Sequence, residues 1–301
     1  MRHNQFQRFI ATILLLSFTL QSCNKSLDLE SCSMKQSSDD YANMSKSEIE
    51  YCTAVIKNDA TEVETLLTRP DVDPNKINFD KVTALAFALI KGHAQAAQKI
   101  IQSNKLNPNI EIGRGRYPLN LAVEKNNIDA VKQLLNRNDI KPNTIDSGSL
   151  TPLVRAIVSN NIQILQQLLN HKDINPNLIT KAEDKEISST VIGLNMGNNE
   201  VISQLLTHKK LNINSEIGGR WYPLTLAINN KNLFAVDLLL KRQELNLNLI
   251  DSTGQSPIRR ALEIGDNDII QRIVTDHRLN VNAEIGGYWY PLTLAIEKKT
   301  S

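Results

Sequence analysis

The sequence predicts an all-α solenoid of about seven helix-turn-helix units and a C-terminal half unit, with a loop closing each unit. Three observations predict it. Paired apolar residues recur at Leu66-Leu67, Ile100-Ile101, Leu134-Leu135, Leu168-Leu169, Leu205-Leu206, Leu239-Leu240 and Ile273-Val274, spaced by 34 residues with one step of 37. An asparagine follows each pair in the same register: Asn75, Asn109, Asn143, Asn177, Asn214, Asn248 and Asn282. A series of small residues, Ala54, Ala88, Ala122, Ala156, Gly193, Ala227, Ala261 and Ala295, shares the period. A period of this length marks stacked units, each too small to bury its apolar face alone.

Within each unit the elements follow in a fixed order. A short first helix starts at Thr83-Ala84-Leu85, Tyr117-Pro118-Leu119, Thr151-Pro152-Leu153, Tyr222-Pro223-Leu224, Ser256-Pro257-Ile258 and Tyr290-Pro291-Leu292. Proline suits the first helical turn because its missing N–H has no partner there. Thr83, Thr151, Ser188 and Ser256 are placed to cap this helix through the side-chain oxygen, a contribution of about 1 kcal/mol. The small residue lets two helices approach closely. Gly92, Asn126, Asn160, Gly197, Asn230 and Gly265 fall in the turn, where Gly and Asn tolerate a left-handed backbone. A second helix then carries the apolar pair into the core. The units run approximately over 47–77, 80–111, 114–145, 148–179, 185–216, 219–250 and 253–284, with a partial unit at 287–301. Three extra residues fall within Thr180–Ile187. They read as a surface-loop insertion or as a protruding finger.

These units resemble the ankyrin repeat family in the Pro-Leu-x-x-Ala start, the turn Gly or Asn, and a closing Asn seen in Asp139-Ile140-Lys141-Pro142-Asn143 and Leu279-Asn280-Val281-Asn282. The resemblance covers about residues 47–301. A tetratricopeptide array shares the period, but the Pro-Leu start and Asn-terminated loops favour the ankyrin form. No unit carries the family's His after Pro-Leu; Asn120, Val154, Thr225 and Arg259 are among the residues found there. The resemblance implies a non-enzymatic scaffold, inhibitor or adaptor that binds a protein partner through a concave face of fingers and first helices. By position, finger tips are expected at Arg114, Arg116, Leu150, Trp221, Gln255 and Trp289, with Tyr222, Tyr288 and Tyr290 beside the tryptophans. Inner-helix positions fall at Glu124, Lys125, Val158, Ser159, Asn195, Met196, Asn229, Asn230, Glu263 and Ile264. The partner-binding candidates are Arg114, Arg116, Glu124, Lys125, Trp221, Asn229, Asn230, Tyr288 and Trp289; Trp, Tyr and Arg are enriched at interface hot spots.

The first 22 residues read differently. Arg2 and Arg8 precede the apolar run Phe9 to Leu20, too short for the roughly 20 residues that span a bilayer, and the pattern fits a secretory signal peptide. Leu20-Gln21-Ser22-Cys23 resembles the bacterial lipoprotein box, which implies cleavage before Cys23 and lipidation of that residue. Two or more acyl chains give stable anchoring where one does not. Removing Arg2 and Arg8 leaves the basic and acidic counts equal, so attachment would rest on lipid rather than on a polybasic patch. Residues 23–46 are polar and Ser-rich, as expected of a flexible tether. Together these features imply a lipid-anchored protein of the bacterial cell envelope, facing the periplasm or held in the outer membrane.

Nothing in the sequence forms a catalytic or cofactor constellation. A net charge of +2 over 301 residues provides no basic face for nucleic acid. Three cysteines make neither a disulfide framework nor a zinc motif, and a Cys32–Cys52 bridge has no support from spacing. His171 and His208 share a repeat position, but stacked helices lie about 8–10 Å apart, too far for both imidazoles to reach one zinc at about 2 Å. No small-molecule substrate is implied. The rival reading is a structural envelope protein that stacks end to end, since a half unit leaves its neighbour partly covered.

Overall fold

The computed structural model describes residues 44–77, 82–113, 115–182 and 185–300, and the array expected above is what it contains. The signal peptide, Cys23 and nearly all of the tether lie outside the described residues, as does Arg114. The first helices of successive repeats are α1 Lys46–Ile56, α3 Ala84–Lys91, α5 Pro118–Glu124, α7 Pro152–Val158, α9 Ser189–Met196, α11 Pro223–Asn229, α13 Pro257–Ile264 and α15 Pro291–Thr300. Their partners are α2 Ala60–Leu67, α4 Ala94–Gln102, α6 Ile128–Leu135, α8 Ile162–Leu169, α10 Asn199–Leu206, α12 Leu233–Leu240 and α14 Asn267–Val274. Each first helix packs on the next first helix, and each second helix on the next second helix.

The caps explain where these short helices begin. The hydroxyls of Thr83, Thr151, Ser188 and Ser256 each accept the N–H three residues on. Where Tyr222 and Tyr290 replace that residue, the hydroxyls of Thr225 and Thr293 accept the tyrosines' own N–H instead, at 3.1 Å in both. Second helices open on Asp59, Asn127, Asn161, Asn198, Asn232 and Asp266, whose side chains accept from the first turn. The left-handed residue before them is Asn58, Gly92, Asn126, Asn160, Gly197, Lys231 or Gly265. Asn230, expected in that conformation, is an ordinary right-handed helix cap with φ −81°; the register places Lys231 in the turn.

The three extra residues lengthen the finger of the fifth repeat into an antiparallel hairpin, β1 Ile179–Ala182 and β2 Lys185–Ser188, with Thr180 opposite Ile187. Both of these residues are buried, so one face of the hairpin packs inward.

The apolar pairs and small residues fill the interior, but not as one spine. The buried residues form two clusters that meet inside the fifth repeat: Ile192, Val201 and Leu205 join the N-terminal one, Val191, Leu194, Ile202 and Leu206 the C-terminal one. Gly193 marks this seam, and a Cβ there would lie 2.6 Å from Leu205 Cδ1. Cys52 is buried in α1; burial, aided by the nearby Glu48 carboxylate and opposed by Lys76, pushes its thiol up to about 12.

Polar ties link each repeat to the next. The Asn143 amide donates to the Asp173 carbonyl (2.7 Å) while its oxygen accepts the Asn175 N–H (2.9 Å). The same two-way clasp recurs at Asn75, Asn109, Asn177, Asn214 and Asn248. Each clasp satisfies loop N–H and C=O groups that no helix or sheet could serve. A guanidinium also reaches back to carbonyls at the end of the preceding second helix, where positive charge is favoured. Arg137 donates to the carbonyls of Ile101, Ser103 and Leu106, and Arg242 to those of Leu206 and Leu211. Arg137 pairs with Asp139 and Arg242 with Glu244; in the seventh repeat the order is swapped to Asp276 and Arg278, yet Arg278 still reaches the Leu240 carbonyl at 2.7 Å.

Candidate protein-binding face

Five of the fingers are closed at the base by a backbone hydrogen bond. The N–H of Ile112, Ile217 and Ile285 donates to the carbonyl of Arg116, Trp221 and Trp289, each at 2.8 Å. Asp146 and Asp251 donate likewise to Leu150 (3.2 Å) and Gln255 (3.0 Å). Arg116, Leu150, Trp221, Gln255 and Trp289 therefore stand at the bases of the hairpins, not at their tips, and Leu150 is buried. The tips carry a left-handed residue at Gly115, Ser149, Arg220, Gly254 and Tyr288, with φ between 60° and 75°.

Two clusters occupy the face between fingers and first helices. In the third and fourth repeats, Glu124 lies between Arg116 and Arg155, 3.5 Å from each, and Arg155 Nε donates to the buried Asp146 at 2.5 Å. The remaining Asp146 oxygen accepts the N–H groups of Gly148 and Leu150, which shapes that finger. Asn120, at the position of the missing His, ties the same corner: its amide donates to Asp146 and to the Leu150 carbonyl, and it accepts from Thr144. Lys125 adjoins this network. Burial lowers its pKa against the pull of Glu124, and Arg116 lowers it further.

In the sixth and seventh repeats the equivalent corner is built on an aromatic ring. Trp221 is half-buried against the C-terminal cluster, and the Arg260 guanidinium lies 4.4 Å from its ring centroid, a cation–π pair. Asp251 holds Arg260 at 3.3 Å. Arg259 pairs with Glu263 at 2.9 Å and donates to the Gly286 carbonyl of the next finger at 2.5 Å. Asn230 donates to the Leu194 carbonyl and to Asn195, so it bridges two first helices, whereas Asn229 is exposed. Trp289 is half-buried on the same core, and Tyr288 is 91% exposed.

Arg116, Glu124 and Lys125 are thus brought together; Trp221, Asn229 and Asn230 belong to the sixth repeat, three repeats on, where Trp221 packs with Arg260 and Asn230 with Asn195. Arg155 and Arg260 complete the clusters and were not anticipated. Their signal was a charge where other repeats have Phe87, Leu121, Ile192, Leu226 and Leu294, together with Asp146 and Asp251 nine residues earlier. The two histidines pair with backbone groups. His208 Nε2 lies 3.0 Å from the Leu169 carbonyl and its Nδ1 accepts the Lys210 N–H, while His171 Nδ1 accepts the Asp173 N–H. Among the described residues no helix is long and apolar enough to cross a membrane.

A family model described as "Ankyrin repeats (3 copies)" matches residues 51–146, 100–180 and 191–285. No curated protein matches the chain. Among solved structures, the chain is similar to the ankyrin repeat domain of Bcl-3, described as a unique member of the IkappaB protein family. That match has 20% identity and a TM-score of 0.60, covering 72% of this chain and 97% of that one. It is also similar to EF0377, an ankyrin repeat protein, at 19% identity and a TM-score of 0.51, over 60% of this chain and 92% of that one. At these identities the likeness concerns the fold.

Proposed function

Because the chain belongs to the ankyrin repeat family, whose repeats generally mediate protein–protein interaction, we propose that it is a non-enzymatic scaffold or adaptor. It binds a protein partner through its concave face and is held at a bacterial membrane by lipid on Cys23. The observation that carries the binding role is that the face is built before any partner arrives. Arg116, Glu124 and Arg155 are locked by mutual ion pairs, and Trp221 is clamped beneath Arg260. Such side chains lose little freedom on association, which is how preorganised surfaces gain affinity.

The test is a Trp221→Ala, Trp289→Ala double variant, whose folding is checked by circular dichroism. A folded variant that captures partner as well as the parent does counts against this face. Anchoring is tested separately by Cys23→Ala, expected to move the chain from the membrane fraction to the soluble one. A second reading, end-to-end self-association, is favoured by α15, where Leu292 and Ile296 are 71% and 57% exposed. Sedimentation that stays independent of concentration would exclude it.

A further inference from the structure

Two fingers carry the same hairpin almost letter for letter. Residues 216–228 read EIGGRWYPLTLAI and residues 284–296 read EIGGYWYPLTLAI, so the segments differ only at Arg220 and Tyr288. The backbones agree as closely: φ is 105° and 101° at Gly218 and Gly286, 61° and 60° at Gly219 and Gly287, and 68° and 64° at Arg220 and Tyr288. One frame holds two different side chains, and the difference falls at the tip.

The glycines that flank the tip have little room for a side chain of their own. A Cβ on Gly219 would press on Trp221 at 3.3 Å, one on Gly287 would meet Arg259 at 2.9 Å, and one on Gly286 would strike the Gly254 carbonyl oxygen at 1.9 Å. Arg220 and Tyr288, by contrast, are exposed. Both adopt a left-handed conformation that disfavours any residue with a Cβ; the equivalent residue is Gly115 or Gly254 in two other fingers and the small Ser149 in a third. Stability alone would select glycine here. Within this chain the Glu284 carboxylate accepts the Tyr288 N–H at 3.0 Å, but the side chains themselves do nothing for the fold, and non-glycine residues held in this region are a pointer to function.

Charge points to the chemistry of what they meet. Every other described arginine pairs with a carboxylate of this chain. Arg220 has no such partner among the described residues. Tyr288 is the most exposed of the large hydrophobic side chains.

We infer that Arg220 and Tyr288 are the partner-reading residues of this solenoid, set on one repeated frame, and that the partner protein offers a carboxylate to Arg220 and an apolar cleft to Tyr288. This deepens the binding role proposed above and rests on it. Trp221 and Trp289 then act as positioning residues under the tips.

The test uses immobilised full-length chain and a detergent extract of the source cell envelope, with half of the extract treated with carbodiimide and glycinamide to amidate carboxylates. Arg220→Gly and Tyr288→Gly each relieve the left-handed strain, so each is expected to raise the folding equilibrium constant roughly two- to fivefold. The double glycine variant is nevertheless expected to lose capture by at least about tenfold. The exchange variant, Arg220→Tyr with Tyr288→Arg, should unfold at the parental urea midpoint and lose capture as well. Amidation should weaken capture by the parent without weakening what Arg220→Gly retains. Undiminished capture by the folded glycine or exchange variants would overturn the inference while leaving the proposed binding function in place. Undiminished capture of the amidated extract by the parent would overturn the carboxylate assignment. A parent that captures nothing would overturn both readings.

Discussion

The asparagine clasps make a sharp test of how the repeats are held together. Asn143→Ala removes two hydrogen bonds, to the Asp173 carbonyl at 2.7 Å and from the Asn175 N–H at 2.9 Å. Each such bond contributes about 0.5–1.5 kcal/mol net. Asp173 and Asn175 are exposed, so water reaches the orphaned groups and the lower half of that range applies. The expected loss is about 1–2 kcal/mol for the pair. In a solenoid it falls on one nearest-neighbour interface rather than on the whole array. Urea unfolding followed by circular dichroism gives the total, and amide hydrogen exchange gives the location: protection should drop in the third and fourth repeats only. Combining Asn143→Ala with Asn214→Ala, two clasps further along, should give the sum of the single losses, because distant sites without shared partners add. A single loss under about 0.3 kcal/mol, or exchange that quickens equally in every repeat, would refute the clasp as the tie between neighbours.

Three further outcomes follow from the geometry. Lys231→Gly, at a left-handed position with φ 52° that is glycine in three other repeats, should raise stability by about 0.5–1 kcal/mol in the same urea assay. Gly286→Ala should cost more than about 2 kcal/mol, because its Cβ would lie 1.9 Å from the Gly254 carbonyl oxygen; a neutral result would mean that the fingers are not in contact. Acid should loosen the seventh repeat: hydrogen bonding from Arg278 lowers the Asp276 carboxyl from its ordinary value of 3.8 to about 2. A folded-state pKa below the unfolded one stabilises the fold above the unfolded value, and that stability is lost as pH falls through about 2. Asp276→Asn should therefore be less stable than the parent at neutral pH, and the gap between their urea midpoints should close as pH drops into that window.

How much of this could be read from the sequence depended on how local the physics was. The Thr and Ser caps, the apolar pairs and the small-residue series are each decided within one hairpin, and Thr83, Leu134 and Ala122 sit where the period puts them. The tandem asparagines were visible as a series, but their role was not, since the clasp joins residues about 30 positions apart and needs both loops in view. Asn230 and Lys231 show the limit of residue preference: the better left-handed candidate lies one place early, and the register overrides it. The fingertips slipped for a related reason. Trp221 and Trp289 look like display residues because they are large and lie outside the core series, yet the hairpin turns one residue earlier, at Arg220 and Tyr288. Arg155 and Arg260 escaped notice because a buried guanidinium is explained only by its distant carboxylates, Asp146 and Asp251.

The division of the apolar interior inside the fifth repeat has a mechanical consequence. Clasps and guanidinium ties share tension along the array, but the seam around Gly193 is where the buried contacts are divided between two halves. Because Val191 and Ile192 are neighbours on α9, and Leu205 and Leu206 on α10, no clean break runs between the halves: drawing them apart means unfolding the fifth repeat itself.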